Sequence, residues 1–163
     1  DTCNFATVTL AMCQLHSLLR TYSPMFAATP TGPPLGHRVL LTPAADEQHS
    51  FGAVMLAEFM RREGCEIVMG PFPSARGLQA AVRQSSFTIV AFSLSCDSKM
   101  GALARQIASV RRASKNPAVA ILVGGNVFNE HPELVSRVGA DWTARDARET
   151  VELLRRLGVS AHQ

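Results

Sequence analysis

Short apolar runs alternate with amphipathic segments along most of this chain. The apolar runs are rich in aliphatic and β-branched residues, which is typical of buried strands, and the segments between them repeat apolar residues every three or four positions, as helices do. The predicted strands are Val39–Thr42, Glu66–Met69, Thr88–Ser93, Val119–Val123 and a short fifth strand near Ala140–Thr143. The predicted helices are Phe51–Arg62, Leu78–Arg83, Met100–Ala113 and Asp146–Leu157.

This alternation of strands and helices predicts a parallel sheet that is covered by helices on both faces. The expected fold class is therefore α/β: a doubly wound, flavodoxin-like (Rossmann-like) sheet of five parallel strands, preceded by a helix. In such sheets, ligands bind beyond the carboxyl ends of the strands, where the strand order reverses. The loops expected at this edge are Pro43–Gly52, Ser93–Ser98 and Gly124–Phe128.

An apolar helix is predicted before the sheet. Phe5–Tyr22 carries apolar residues around much of its circumference, and Ser23-Pro24 is expected to end it. The stretch Thr29–Gly36 is rich in proline and glycine, which is typical of a linker. We therefore predict a cap helix within residues 1–28, a linker over 29–36 and an α/β domain over 37–163.

Charge and composition narrow the possible functions. The net charge of +3 comes largely from arginine pairs on different predicted helices, a pattern of solvated helix faces that gives little support to nucleic-acid binding. No apolar run approaches the roughly 18 residues of a membrane span, and no secretion signal is visible. The four cysteines lack metal-site or disulfide spacing, as expected of free thiols in a reducing compartment. We expect a cytoplasmic protein without a nucleic-acid or membrane partner.

The loops at the predicted carboxyl edge carry the candidate binding residues. A neutral imidazole is the commonest metal ligand in proteins, and a carboxylate on its other nitrogen fixes the tautomer. Paired glycines let a ligand lie close to the backbone. Neither a G-x-G-x-x-G nor a Walker pattern is present, which argues against nucleotide binding. The candidate residues are Glu47, His49, Gly52, Ser93, Ser95, Gly124 and Gly125.

These residues resemble the three signatures of the cobalamin-binding domain family, in order and spacing, between Arg38 and about Leu157. The matching segments are Glu47-Gln-His49-Ser-Phe-Gly52, Ser93-Leu-Ser95 and Val123-Gly124-Gly125. The resemblance implies that residues 37–163 are a cobalamin-binding-like domain. In this family the histidine, here His49, coordinates cobalt from below, and the acid, here Glu47, orients it. The serine binds the dimethylbenzimidazole tail of cobalamin, and the glycine pair leaves room for that tail.

Two positions depart from the family pattern. Glu47 stands where the usual residue is aspartate, and Ser95 stands where the usual residue is leucine. We expect a valine at Gly125 to block insertion of a cobalamin tail, but to affect haem, which has no such tail, far less.

A closer resemblance links the chain to the AerR, PpaA and AppA group of purple-bacterial antirepressors. The amino-terminal helix, the Gln-His-Ser-Phe-Gly loop and the turn around Cys96-Asp97 carry this resemblance. It implies a non-enzymatic light or redox sensor that binds a tetrapyrrole, either cobalamin or haem. Such a module antagonises a transcriptional repressor of photosynthesis genes by protein–protein contact. Because the chain begins with aspartate, we also expect other domains in a longer chain.

Other interpretations of these residues stay open. The chain could be the corrinoid carrier of a methyltransferase or mutase, or a degenerate domain that binds no cofactor and acts by contact alone. His49 could cap the helix that follows it, Ser93 could satisfy a backbone group at the strand end, and the glycines could form a simple turn. His16 is expected to be a packed histidine of the core. No catalytic constellation is visible elsewhere, so we expect no enzymatic activity.

Overall fold

Five parallel strands form the centre of the protein. The computed structural model describes residues 4–27, 32–45, 47, 51–72 and 74–160. The strands are β1 (Arg38–Pro43), β2 (Glu66–Met69), β3 (Ile89–Ser93), β4 (Ala120–Gly124) and β5 (Trp142–Thr143). They are ordered β2-β1-β3-β4-β5, so the strand order reverses between β1 and β3. Each strand lies within two residues of its predicted bounds, and the predicted flavodoxin-like fold is confirmed.

Helices cover both faces of this sheet. They are α1 (Phe5–Ala27), α2 (Phe51–Arg62), α3 (Ala75–Gln84), α4 (Met100–Ala113), α5 (Asn126–Glu130), α6 (Leu134–Arg137) and α7 (Ala147–Ser160). Alternate strand residues point to opposite faces. Leu40 and Val90 therefore pack with α3 and α4, whereas Leu41 and Ala91 pack with α2 and α7. This burial on both sides explains why the strands are continuous apolar runs.

The helix α1 is longer than its sequence predicts. It continues through Pro24 to Ala27, so the expectation that Ser23-Pro24 ends it is wrong. A proline removes only one backbone donor, and tertiary contacts hold this last turn: the Ser23 hydroxyl donates a hydrogen bond to the Glu58 carboxylate on α2, which also pairs with Arg61. The short helix α5 is also absent from the sequence prediction.

The helices α1 and α2 run in the same direction. The ring of His16 contacts that of Phe51 edge-on, with centroids 5.2 Å apart, and Ser23 meets Glu58 seven residues further along both helices. Because α2 starts at the carboxyl edge of the sheet, the residues of α1 before His16 extend about 16 Å past the start of α2. The amino-terminal half of α1 therefore projects beyond the strand ends.

The boundary between α1 and the sheet is only partly described. Residues 29–31 of the predicted linker lie outside the described residues. The Leu35 amide, later in the same linker, donates a 2.8 Å hydrogen bond to the Glu63 carbonyl oxygen. This end of the linker is therefore fixed against the turn that follows α2. The division of the chain into three parts remains a prediction. No helix in the described part of the chain has both the length and the apolar character that crossing a membrane requires.

Three cysteines lie in the described part of the chain, and all three are free thiols. Cys13 and Cys96 are exposed, whereas Cys65 is buried in the core between the sheet and α2. The pKa of the Cys65 thiol is raised to about 11, chiefly by burial. A hydrogen bond with the backbone of His37 lowers this pKa, and the negative charge of the nearby Glu63 carboxylate raises it further.

This raised pKa predicts a loss of stability at alkaline pH. Above the ordinary pKa of 9.0, the unfolded chain releases the Cys65 proton while the folded protein keeps it up to about pH 11. The free energy of unfolding should therefore fall across this interval, by about 2 kcal/mol. Urea unfolding of Cys65→Ala between pH 8 and 11 should show a smaller fall, whereas Cys13→Ala should behave like the unaltered protein. An equal fall in Cys65→Ala would contradict the assignment.

Candidate cofactor-binding site

A cavity of about 400 Å³ opens at the carboxyl edge of the sheet, on the face covered by α2 and α7. Its walls are largely apolar, which suits a flat organic group better than an ion. The sheet contributes Leu41, Ala91 and Leu122; α2 contributes Met55, Leu56 and Phe59; and α7 contributes Ala147 and Thr150.

One buried hydroxyl in this cavity has no hydrogen-bond partner among the residues that the structure describes. Ser93, the last residue of β3, lines the cavity, and its buried Oγ makes no hydrogen bond within the described part of the chain. Within the described residues, Thr143 is the other side chain in this condition. Leaving such a group unpaired costs about 1–3 kcal/mol, so an unpaired hydroxyl in a native protein calls for an explanation. A ligand with a hydrogen-bonding atom in this cavity would supply the missing partner of Ser93.

The two glycines after β4 have different roles. A Cβ atom on Gly124 would face the cavity, with the Ala144 carbonyl oxygen 3.8 Å away as its nearest neighbour. A Cβ atom on Gly125 would lie 2.1 Å from the Leu94 carbonyl oxygen, and the φ angle of Gly125 is +115°. Only Gly124 therefore leaves room for a ligand, whereas Gly125 is required by the backbone itself. The expectation that Gly125→Val selectively blocks a cobalamin tail is corrected on this ground.

Glu47 and Ser95 form a pair at the carboxyl edge of the sheet, where Ser95 lines the cavity. Glu47 Oε2 accepts hydrogen bonds from the Ser95 amide at 2.8 Å and from the Ser95 hydroxyl at 2.5 Å. Glu47 is only 9% exposed, so the pair ties the loop after β1 to the loop after β3 in a partly buried setting. The two departures from the family pattern thus contact each other. The longer glutamate reaches a polar group that occupies the place of an apolar one.

His49 lies outside the described residues, as do its two neighbours in sequence, and its role as a metal ligand stays a prediction. Gly52, three residues further on, lies in the first turn of α2 and lines the cavity. The described residues include no group of three or more metal-ligating side chains.

Sequence reasoning identified the edge of the sheet but missed one wall of the cavity. Met55 and Phe59, with Gly52, follow one another at helical spacing along one face of α2, and that face lines the cavity. The spacing was visible in the sequence, but an apolar helix face is more often packed core. Asn129, Arg145 and Asp146 also line the cavity and come from parts of the chain where no site was expected.

A comparison with known families decides the assignment of this chain. The B12 binding domain matches residues 37–155, which is most of the chain. The chain belongs to the B12-binding domain family. The chain is similar to an uncharacterised 20.5 kDa protein of Rhodobacter capsulatus from the bchF–crtJ intergenic region. The two sequences are 25% identical over 146 residues. That alignment covers 90% of this B12-binding chain and 76% of the Rhodobacter protein.

Solved structures share the fold of this B12-binding domain. The Methanosarcina barkeri monomethylamine corrinoid protein matches with a TM-score of 0.76 at 14% identity, covering 95% of this chain and 72% of that one. A novel cobalamin-binding protein from Desulfitobacterium hafniense matches with a TM-score of 0.67 at 17% identity, and the alignment covers 75% of this chain and 59% of the Desulfitobacterium protein. A CheY-like protein from Pseudomonas aeruginosa matches with a TM-score of 0.58. These likenesses concern the fold alone.

Proposed function

We propose that this B12-binding domain is a non-enzymatic regulatory module that binds cobalamin and acts by contact with a transcriptional repressor. The observation that carries the cofactor proposal is the buried, unpartnered hydroxyl of Ser93 in an otherwise apolar cavity. A flat aromatic tail with one hydrogen-bond acceptor would fill the cavity and accept a hydrogen bond from this hydroxyl. The tail of cobalamin has this chemistry and haem has no tail of this kind, so the cavity favours cobalamin.

Several residues of the chain would hold this group. Ser93 would donate a hydrogen bond to the tail, and Gly124 provides the space beside it. Glu47 and Ser95 hold the loops after β1 and β3 together, and Glu47 precedes His49, the predicted metal ligand, by two residues in the sequence. When bound, cobalamin would supply a cobalt centre whose coordination responds to light and to redox state. The protein's part is to bind the tail, orient the histidine and present the resulting state to a partner.

The proposal of a regulatory role rests on two further observations. The relative from Rhodobacter capsulatus is encoded in the bchF–crtJ intergenic region, a photosynthesis gene region, which fits the resemblance of this chain to photosynthesis antirepressors. In addition, α1 projects past the strand ends, where its position would respond to a ligand at this edge. A ligand shifts a regulatory equilibrium only through unequal affinities for two states. A helix that contacts the site in one state and not in the other would provide this difference.

The first experiment asks which tetrapyrrole binds and through which residue. The purified protein is titrated with hydroxocobalamin and, separately, with hemin, while absorption spectra are recorded. We expect hydroxocobalamin to bind with shifted bands, and His49→Ala to lose that shift while keeping its circular dichroism spectrum. His131→Ala is the matched control, because His131 is exposed and pairs with Glu133. Identical spectra for His49→Ala and the unaltered protein would refute the axial assignment.

The second experiment tests the regulatory role. The chain is titrated into a mixture of repressor and operator DNA, with and without hydroxocobalamin, and operator occupancy is measured. We expect the chain to lower occupancy and cobalamin to change the required concentration; by linkage, the repressor must change the cobalamin affinity by the same factor. An effect that ignores cobalamin would remove the sensing function. No effect under any condition would reject the antirepressor role and leave the corrinoid carrier as the better interpretation.

A further inference from the structure

The helix α1 carries a second apolar surface that α2 does not cover. The side of α1 that faces α2 includes the half-buried Met12, His16, Leu19 and Ser23. Beside it runs an exposed stripe whose members follow at alternating spacings of three and four residues, the heptad pattern of paired helices. The stripe consists of Val8, Ala11, Leu15, Leu18, Tyr22 and Met25. Its five large side chains are between 43% and 66% exposed.

The charges of α1 are compatible with contact between identical helices. Arg20 is the one lysine, arginine, aspartate or glutamate between residues 5 and 27. At 3.6 residues per turn, it lies on the side of the helix opposite the stripe. The free edge of the stripe is bordered by Thr7, Gln14 and Thr21, which are uncharged. Two copies of the stripe can therefore meet without repulsion between like charges.

The sizes of the stripe residues match in one orientation. If two copies of α1 pair antiparallel about a point between Leu15 and Leu18, these two leucines face each other. Ala11 of one copy then faces Tyr22 of the other, so that the smallest member meets the largest, and Val8 faces Met25. A parallel pair would instead set alanine against alanine and tyrosine against tyrosine, leaving a gap and a crowded layer. Alternation of large and small residues is what close packing requires.

We propose that α1 pairs antiparallel with α1 of a second copy of this chain through the stripe, which makes the protein a two-fold symmetric dimer. The interface is isologous, as expected of a symmetric pair. The helix is 23 residues long, or about 35 Å. A stable dimer buries roughly 800 Å² per partner, and a stripe on one helix supplies about half of this, so the dimer should be weak. We expect a dissociation constant in the micromolar range.

Analytical ultracentrifugation over a concentration series tests this pairing on the full chain. We expect Leu15→Glu to raise the dissociation constant at least about 100-fold, because each introduced carboxylate would be buried against Leu18 of the other copy near the centre of the interface. Leu10→Glu is the matched control: Leu10 is 65% exposed on the same helix but lies off the stripe. A monomer at all concentrations, or an equal effect of both substitutions, would overturn the proposal.

Cysteine cross-linking tests the orientation. In a background with Cys3, Cys13 and Cys96 replaced by serine, variants carrying Ala11→Cys and Tyr22→Cys are mixed and oxidised. Antiparallel pairing predicts a disulfide between the two different variants and little between identical copies. Cross-links confined to identical copies would show a parallel pair and overturn the proposed orientation. Circular dichroism confirms that each variant remains helical.

Discussion

Gly124→Val is expected to weaken cobalamin binding by about 100-fold, since overlap of this kind costs up to about 3 kcal/mol. A Cβ atom at this position meets nothing nearer than 3.8 Å, but the two methyl groups of valine would extend into the cavity where a tail would lie. The fold should persist, because Gly124 ends a strand and valine is a favoured strand residue. Titration with hydroxocobalamin measures the loss.

A corrinoid without the tail separates blockage of the cavity from general damage. Cobinamide lacks the dimethylbenzimidazole, so its affinity should be nearly the same for Gly124→Val and for the unaltered protein. Gly101→Ala, on α4 and away from the cavity, is the control for a change of glycine that leaves the cavity intact. If Gly124→Val bound cobalamin as tightly as the unaltered protein does, the cavity would not be the tail site. If cobinamide binding were lost equally, the valine would act by another route.

Gly125→Ala is expected to destabilise the fold itself, with or without a ligand. The added Cβ atom would lie 2.1 Å from the Leu94 carbonyl oxygen and 2.9 Å from its carbonyl carbon. The backbone at Gly125 also has a φ angle of +115°, which side chains of L-residues rarely permit. Strain and overlap together should cost about 3 kcal/mol or more. For a domain of this size, that corresponds to a fall in melting temperature of roughly 10 °C.

The neighbouring glycine supplies the control for this second prediction. Gly124→Ala should lower the melting temperature far less, because its Cβ atom would make only an ordinary van der Waals contact. Thermal unfolding followed by circular dichroism, without any ligand, compares the two variants. Similar melting temperatures would mean that the loop after β4 rearranges easily, and that Gly125 is not held in place by Leu94.

The sequence predicted the strands well because each one is buried on both faces and therefore consists of apolar residues throughout. The end of α1 was predicted wrongly because a local rule about Pro24 was outweighed by the contact of Ser23 with Glu58, which is 35 residues distant. The start of α3 was predicted late, although Ser74, whose hydroxyl accepts a hydrogen bond from the Gly77 amide, marks it.

The sequence predicted where the candidate site lies in the fold, but it did not predict the contacts between its residues. The topology brings the three loops to one edge, and this much follows from alternating strands and helices. The pairing of Glu47 with Ser95 depends on the length of one side chain and on the distance between two loops, which no spacing reveals. The different roles of Gly124 and Gly125 also could not be predicted, because they depend on the direction in which a Cβ atom would point from each backbone position.

Because α1 runs parallel to α2 and projects beyond it, a tilt of α1 would move its two ends by different amounts. The contact of Ser23 with Glu58 lies near one end of α1, and Asn4 lies about 28 Å away along the helix axis. A tilt of about 10° about Ser23 would therefore move the tip of the helix by about 5 Å. A displacement of less than about 1 Å near Ser23 would therefore become several times larger at the amino-terminal end of α1, while the sheet stays unchanged. Such an arrangement would carry a small displacement at one end of α1 to a point about 28 Å away along the helix.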